Sequence, residues 1–210
     1  MWVETYINIV SIMTAEERLK KDRELVSLAR EGVFLVGYKS DTQNKNMAWF
    51  LPRPKKDRYK GGMPLYCEEW LIELATDILG KKPKLLSLFS GASKYGYKVD
   101  IKPETNPDLV ADAHCLSDVL KEKFDLIIAD PPYSTEEARQ LYDTDKLSYS
   151  KWTAECDKLL LIGGLLVVYH KFVMPNPDPE KYSVVKRVFI GNRTYHTPRV
   201  AIFFKRVHKV

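Results

Sequence analysis

From residue 84 onward, short apolar runs alternate with polar, turn-forming segments, and each run has the length of a buried strand. The pattern predicts strands over 85–89, 98–101, 109–111, 124–129 and 165–169. Ahead of them, Trp70, Leu71, Leu74, Ala75 and Ile78 recur at helical spacing, so a helix is expected over 65–79. A second helical pattern over 153–162 runs into Gly163-Gly164, which reads as its C-cap. The tail holds two β-rich runs, 183–190 and 199–206, around the turn formers Gly191-Asn192 and Thr197-Pro198. These are expected to pair as an antiparallel hairpin at the sheet edge. The strand–helix alternation predicts an α/β, mostly parallel sheet closed by that hairpin.

The first 64 residues have a different texture. Thr14 and Glu17 form a capping-box pair before an amphipathic run, which predicts a helix over 15–31 that Gly32 ends. A short apolar run, 33–38, reads as a strand, and 40–46 is polar and turn-rich. The stretch 52–60 carries Arg53, Lys55, Lys56, Arg58 and Lys60 against the lone Asp57, with Trp49, Phe50 and Tyr59 interleaved or flanking. It reads equally as a solvated basic linker and as a segment that tracks a phosphate backbone while its rings stack on bases. The expected organisation is therefore a helical and basic extension, 1–64, followed by one domain, 65–210.

A chain of 210 residues with 45% hydrophobic content buries one substantial core, which excludes two full domains. Its net charge of +5 favours a polyanionic partner without requiring one. The three cysteines, Cys67, Cys115 and Cys156, include no CxxC pair, and their odd number argues against a disulfide framework. A reducing, cytoplasmic setting is expected. His114-Cys115 has no second pair at finger-like spacing, so no metal site is expected. No run reaches transmembrane length, and residues 1–13 lack the basic start and small-residue cleavage site of a leader, so no membrane partner is expected.

The candidate chemistry lies where the run 124–129 meets Asp130-Pro131-Pro132-Tyr133. An amino group conjugated to a nucleobase ring is a poor nucleophile because its lone pair is delocalised. A carboxylate oxygen and a proline carbonyl oxygen, both acceptors, draw the nitrogen out of conjugation by binding its two N–H hydrogens. The prolines stiffen the loop, and the Tyr133 ring offers a face for a flipped base. Three earlier strand tips carry groups suited to a nucleoside cofactor. Ser90-Gly91 makes a small-residue turn where backbone N–H groups approach a ligand, and Gly96 offers the same on the other side. Asp100 is placed to accept from ribose hydroxyls, and Asp112, within Ala111-Asp112-Ala113, from an adenine amine.

In that order these features resemble the class I S-adenosylmethionine-dependent amino-methyltransferases with an acidic-Pro-Pro-aromatic loop, the group of the DNA adenine-N6 and cytosine-N4 methylases. The resemblance spans 65–210 and implies an α/β, Rossmann-like, mostly parallel sheet there. It implies S-adenosylmethionine as cofactor, held by Phe89, Ser90, Gly91, Asp100, Asp112 and Ala113, and catalysis by Asp130, Pro131, Pro132 and Tyr133. It implies a nucleic-acid substrate, with adenine N6 of DNA first and an RNA base (adenine N6 or guanine N2) as the alternative. A reading of a different class is a non-catalytic, nucleic-acid-binding partner subunit of the same fold. Substrate contacts are expected from Arg139 and Tyr142 in the loop 134–149, and from His170 and Lys171 at the tip of the fifth strand. No inserted recognition domain separates the third and fourth strands, which leaves a homodimer or a separate specificity subunit as arrangements that would supply one. Two features depart from the family pattern. Ser87 stands where the first strand usually carries an acid, and only 92–97 separates Gly91 from the next strand. That gap leaves either an abbreviated crossover or a differently placed second strand.

Overall fold

The computed structural model describes residues 34–36, 45–52, 62–142, 147–191 and 197–207. The chain divides into two compact units, 1–34 and 35–210, and the first lies outside the described residues except for Phe34. The helix expected over 15–31 and residues 53–60 of the basic stretch also lie outside them. The strands are β1 (Phe34–Val36), β2 (Asn46–Phe50), β3 (Leu85–Leu88), β4 (Tyr97–Asp100), β5 (Leu109–Val110), β6 (Phe124–Ala129), β7 (Leu160–His170), β8 (Tyr182–Gly191) and β9 (Arg199–Arg206). The helices are α1 (Cys67–Leu79), α2 (Leu116–Val119), α3 (Thr135–Tyr142) and α4 (Tyr149–Leu159).

Together the strands form one sheet in the order β1-β2-β8-β9-β7-β6-β3-β4-β5. The pairs β3–β4, β4–β5, β3–β6, β6–β7 and β2–β8 are parallel, and β9 runs antiparallel between β7 and β8. The architecture is thus α/β and Rossmann-like with a C-terminal antiparallel hairpin. The chain leaves β3 toward β4 on one side and returns to β6 on the other, so β3 and β6 flank the point where the strand order reverses. Ligands of open α/β sheets bind in the crevice at the carboxyl ends of such strands.

The apolar periodicity explains the layers. Leu86, Leu88, Ile127, Ala129, Leu166 and Val168 share one face with Trp152, Cys156 and Leu159 of α4. Alternate residues along the same strands, including Leu126, Ile128, Leu165 and Val167, are also fully or almost fully buried, as a sheet covered on both sides requires. Buried Cys67, Trp70, Leu71, Leu74 and Ala75 define the inner stripe of α1, and Gly80 at φ 68° ends it with its N–H donating to the Thr76 carbonyl. Trp70 meets Trp49 of β2 edge to face at 5.4 Å.

Three local expectations are corrected. Gly163-Gly164 does not cap the second helix, which ends at Leu159 and passes directly into β7. Pairing shifts from Phe124↔Leu160 to Leu126↔Leu165, so the residues between bulge out of β7. Gly163, at φ +83°, supplies the turn, and a Cβ on Gly164 would lie 2.8 Å from the Asp125 carbonyl oxygen. The hairpin is not at the sheet edge, because Asn46–Phe50, from the segment assigned to the extension, adds in parallel beyond β8. Gly96 is no ligand-side glycine. It sits at φ +68° over β3, where a Cβ would lie 2.5 Å from Leu85 Cγ.

That last contact resolves the short crossover. Residues 89–96 return beside β3 without a helix, and β4 begins at Tyr97 in parallel register with Leu86. The strand is four residues long, so the return path is only about 13 Å, within reach of a short non-helical link. Ser87 Oγ donates to the Tyr95 carbonyl at 2.8 Å, pinning the link to the strand.

Candidate active site at the sheet rim

Sheet register brings the sequence-predicted groups to one edge. Leu88 pairs with Ala129 and Ala129 with Val168, so Phe89, Asp130 and Tyr169 follow one another at the rim. His170 pairs with Val200, which sets Lys171 and Arg199 side by side at the end of the antiparallel ladder. A cleft of about 830 Å³ opens there, within the usual range for small-ligand sites. Phe89, Ser90, Gly91, Asp100, Asp112, Ala113, Asp130 and Pro132 all line it.

On its β3–β4 side, the cleft is built from backbone. Phe89 takes φ 56° and Gly91 φ 47°, both left-handed. For Phe89 this costs about 1–2 kcal/mol, strain of the kind found where the chain must present its backbone to a ligand. Its ring is braced edge to face on Trp152 at 5.6 Å. Asp100 is only 6% exposed, and its two oxygens accept from Gly91 N–H at 2.8 Å and Lys102 N–H at 2.9 Å. The carboxylate therefore fastens the glycine turn to the tip of β4, and each oxygen keeps a second lone pair. Ser90 Oγ is buried with no hydrogen-bond partner, a cost of about 1–3 kcal/mol that a polar ligand group in the cleft would relieve.

Asp112 accepts from His114 N–H at 2.9 Å and lies 3.2 Å from His114 Nδ1. His114 Nε2 accepts from Ser148 N–H at 2.9 Å, so Nδ1 carries the proton that points at Asp112. His114 thereby ties the start of α4, and with it Leu147 in the cleft wall, to the Asp112 carboxylate. The sequence offered no signal for it, since the partner lies 34 residues away.

An acidic group absent from β3 is supplied by α1. Glu68 lines the cleft, accepts from Ser93 Oγ, and so holds the loop after Gly91, while Tyr95 Oη donates to Glu69 beside it.

On the β6–β7 side, side chains do the holding. Pro131 is buried, and its carbonyl accepts no backbone hydrogen bond among the described residues. Tyr133 Oη donates to Asp130 Oδ1 at 3.1 Å. Burial first, and then the Asp130 charge, push the Tyr133 phenol well above its ordinary range, so it remains a donor at any physiological pH. The ring is surrounded by cations and an imidazole. The Arg199 guanidinium lies 4.7 Å from its centroid, Lys171 Nζ 5.9 Å, and His170 meets it edge to face at 5.0 Å. His170 is itself 6% exposed, with Nδ1 accepting from Phe172 N–H at 3.0 Å. Burial, then Lys171 and Arg199, depress its pKa to about 4. His170 thus stands behind Tyr133 and supports its ring. Arg139 is exposed on α3, away from the residues lining the cleft, and the side chain of Tyr142 lies outside the described residues. Arg199 went unnoticed in the sequence because only the register of β9 on β7 brings it to this rim.

Fold and site together define an α/β Rossmann-like protein with a nucleoside-sized cleft abutting an acidic rim loop. No family model matches the sequence, and no curated protein does. Among solved structures, TrmN from Thermus thermophilus shares 19% identity over 65% of this chain, with a TM-score of 0.44. The match covers 49% of TrmN, so this chain spans about half of that protein's length. The N-methyltransferase NodS from Bradyrhizobium japonicum WM9, in complex with S-adenosyl-L-homocysteine, shares 14% identity over 67% of this chain and 85% of its own, with a TM-score of 0.49. A hypothetical protein of Thermus thermophilus shares 18% over 82% and 98%, with a TM-score of 0.42. Among the described residues, no helix is long and apolar enough to cross a membrane.

Proposed function

We propose that this protein transfers a methyl group from S-adenosylmethionine to an exocyclic amino group of a nucleobase, with adenine N6 of DNA as the first target. The observation that carries the reading is that Asp130 and Pro132 of the acidic loop line the same cleft as the Ser90-Gly91 turn, Asp100 and Asp112. One cleft thus offers a place for a nucleoside cofactor beside acceptors for an amine.

The residues fit the cofactor. Asp100 keeps lone pairs for ribose hydroxyls, Asp112 faces the cleft for the adenine amine, and the unpartnered Ser90 Oγ and the acid Glu68 suit the polar amino-acid end. Bound there, S-adenosylmethionine supplies an electrophilic methyl group on a sulfonium. Asp130 and the Pro131 carbonyl accept the two N–H hydrogens of the target amine, which localises the nitrogen lone pair and aims it. That lone pair would form the new N–C bond as the cofactor's C–S bond broke, the electron pair of that bond remaining on sulfur. The nitrogen then sheds one proton, and the Asp130 carboxylate is the base already bonded to it. Tyr133, as a permanent donor, fixes the direction in which Asp130 presents its oxygens.

Incubation with methyl-labelled cofactor and separate DNA and RNA pools, followed by identification of the modified nucleoside, tests the proposal. N6-methyladenine in the DNA pool is the expected product. Label confined to RNA moves the substrate class and keeps the chemistry. Label in neither pool, with no cofactor binding in calorimetry, leaves the non-catalytic partner subunit.

A further inference from the structure

We propose that Lys171, Phe172 and Arg199 form a second subsite at the rim, which takes the phosphate and the unstacked base of the nucleotide next to the target. It rests on the reading of the substrate as nucleic acid and names how the strand is held. Three observations support it.

First, two cations lie against one ring with no direct ion-pair partner among the described residues. Lys171 and Arg199 sit over the same Tyr133 ring, at 5.9 and 4.7 Å from its centroid. Neither takes part in an ion pair among the described residues, where the paired cations are Lys81, Lys84, Lys98, Lys158, Lys181 and Arg206, together with His114. Both charges bear on His170 and help to depress its pKa, as a locally positive field does. Two cations without an ion-pair partner beside one ring attract an anion to that part of the rim.

Second, the open ring at this rim is Phe172. Tyr133 is engaged through its hydroxyl with Asp130 and through its ring with Arg199, whereas Phe172 is 58% exposed. Its neighbour Val173 is 59% exposed, so the apolar surface continues outward from the ring. The Phe172 backbone is nonetheless fixed by its N–H bond to His170 Nδ1, and its ring lies 5.5 Å from the imidazole. A well-held, exposed aromatic ring is a stacking platform with little ordering left to pay for.

Third, cation and ring are coupled. Lys171 Nζ lies 5.3 Å from the Phe172 centroid and 5.9 Å from that of Tyr133, so it bridges the open ring and the catalytic loop. A backbone phosphate on Lys171 and Arg199 with its base on Phe172 is the arrangement that binds single strands without reading sequence. A nucleotide splayed this way is unstacked from the target, so the ligand is a strand with an opened neighbour and an isolated nucleoside lacks half the contacts.

Fluorescence anisotropy with labelled single-stranded oligodeoxynucleotide and oligoribonucleotide, each carrying all four bases, tests the subsite on the full chain. Phe172→Ala is expected to weaken binding about tenfold, the usual loss for one stacked base. Lys171→Gln is expected to weaken it and to make the log K against log salt slope shallower by about 0.7. Phe172 is exposed and Lys171 partly so, and cofactor affinity by calorimetry should stay unchanged, which reports that the cleft is intact. The arm that responds, deoxy or ribo, identifies the strand. Unchanged oligonucleotide affinity in both variants, with methyl transfer retained, overturns the subsite and leaves the proposed reaction standing. If the parent protein binds neither oligonucleotide, the subsite is overturned as well, and a methyl-transfer assay on free nucleosides then shows separately whether the reaction falls with it.

Discussion

On the β3–β4 side of the cleft, Asp100 is gripped by the backbone N–H groups of Gly91 and Lys102, whereas on the β6–β7 side Asp130 is met by Tyr133, a side chain itself surrounded by side chains. The first arrangement is as rigid as the loop that makes it. The second can repack, because cation–ring contacts are weak singly, about 0.5–2 kcal/mol, and tolerate angular change. A cofactor of fixed shape suits the first kind of wall. The proposed substrate, a nucleotide drawn out of its strand, suits the second, whose side chains can shift to take it.

The sharpest break in that comparison is removal of the carboxylate on the adaptable side. Asp130→Ala is expected to lower kcat by at least about a thousandfold, since it deletes both the acceptor that localises the amine's lone pair and the proton's destination. Cofactor affinity in the same variant should remain within about threefold of the parent, because the β3–β4 wall does not depend on Asp130. Near-normal methylation by this variant would remove Asp130 from the mechanism.

The reciprocal variant acts on the rigid side. Asp100→Ala leaves the Gly91 and Lys102 N–H groups without their acceptor at a nearly buried position, at about 1–3 kcal/mol each. The glycine turn is released, so cofactor affinity is expected to fall about a hundredfold by calorimetry and Tm to fall with it. If affinity fell while Tm held, Asp100 would be a ligand contact without the fastening role. If Tm fell while affinity held, it would be a fastener alone.

Why the two sides differed in legibility follows from the same contrast. The run 124–129 with its loop was readable because strand and motif are contiguous, and the structure places β6 at those same residues. Asp100 was readable as an acid at a strand tip, but the pair of backbone hydrogen bonds it accepts was not, because that depends on the left-handed Gly91 turn folding back. The short link 92–97 left two possibilities open, and the deciding fact was a contact, Gly96 on Leu85, that no local pattern encodes. Gly163-Gly164 misled for a different reason. A glycine pair after an amphipathic run is a helix terminator by composition, and only the pairing of β7 with β6 turns it into a bulge. Arg199 and His114 gained their partners Tyr133 and Ser148 from non-local packing, so no spacing rule reaches them.

A smaller effect is expected at Arg199, one of the two cations against the Tyr133 ring. It acts as a positioning residue for Tyr133, through that ring and through a hydrogen bond to the phenol, with Nη1 anchored on the Thr197 carbonyl. Arg199→Ala is expected to lower kcat about tenfold as Tyr133 loosens and Asp130 loses its fixed direction. Arg199→Lys should recover part of the strand affinity and little of kcat, because an ammonium keeps the charge but cannot lie flat on the ring while bonding its hydroxyl. Equal recovery of both would reduce Arg199 to a simple charge.

The smallest expected effect is a pH dependence of stability centred on His170. Its pKa falls from an ordinary 6.5 to about 4 in the folded protein, because burial and the charges of Lys171 and Arg199 disfavour the imidazolium. Between those two values the unfolded chain binds more protons at this residue than the folded one does, so stability rises with pH across the window and is lost as pH falls from 6.5 toward 4. The loss is on the order of 2 kcal/mol at the acid end, with solvent screening at the rim taken into account. Below it, a protonated His170 faces Lys171, Arg199 and the Phe172 N–H, so the imidazolium loses the lone pair that accepted from that N–H and gains two repelling neighbours. His170→Asn retains an acceptor for the Phe172 N–H and cannot titrate. Its Tm is expected to decline less steeply than the parent's between pH 6.5 and 4.5, and parallel declines would show that the imidazole is not the group responsible.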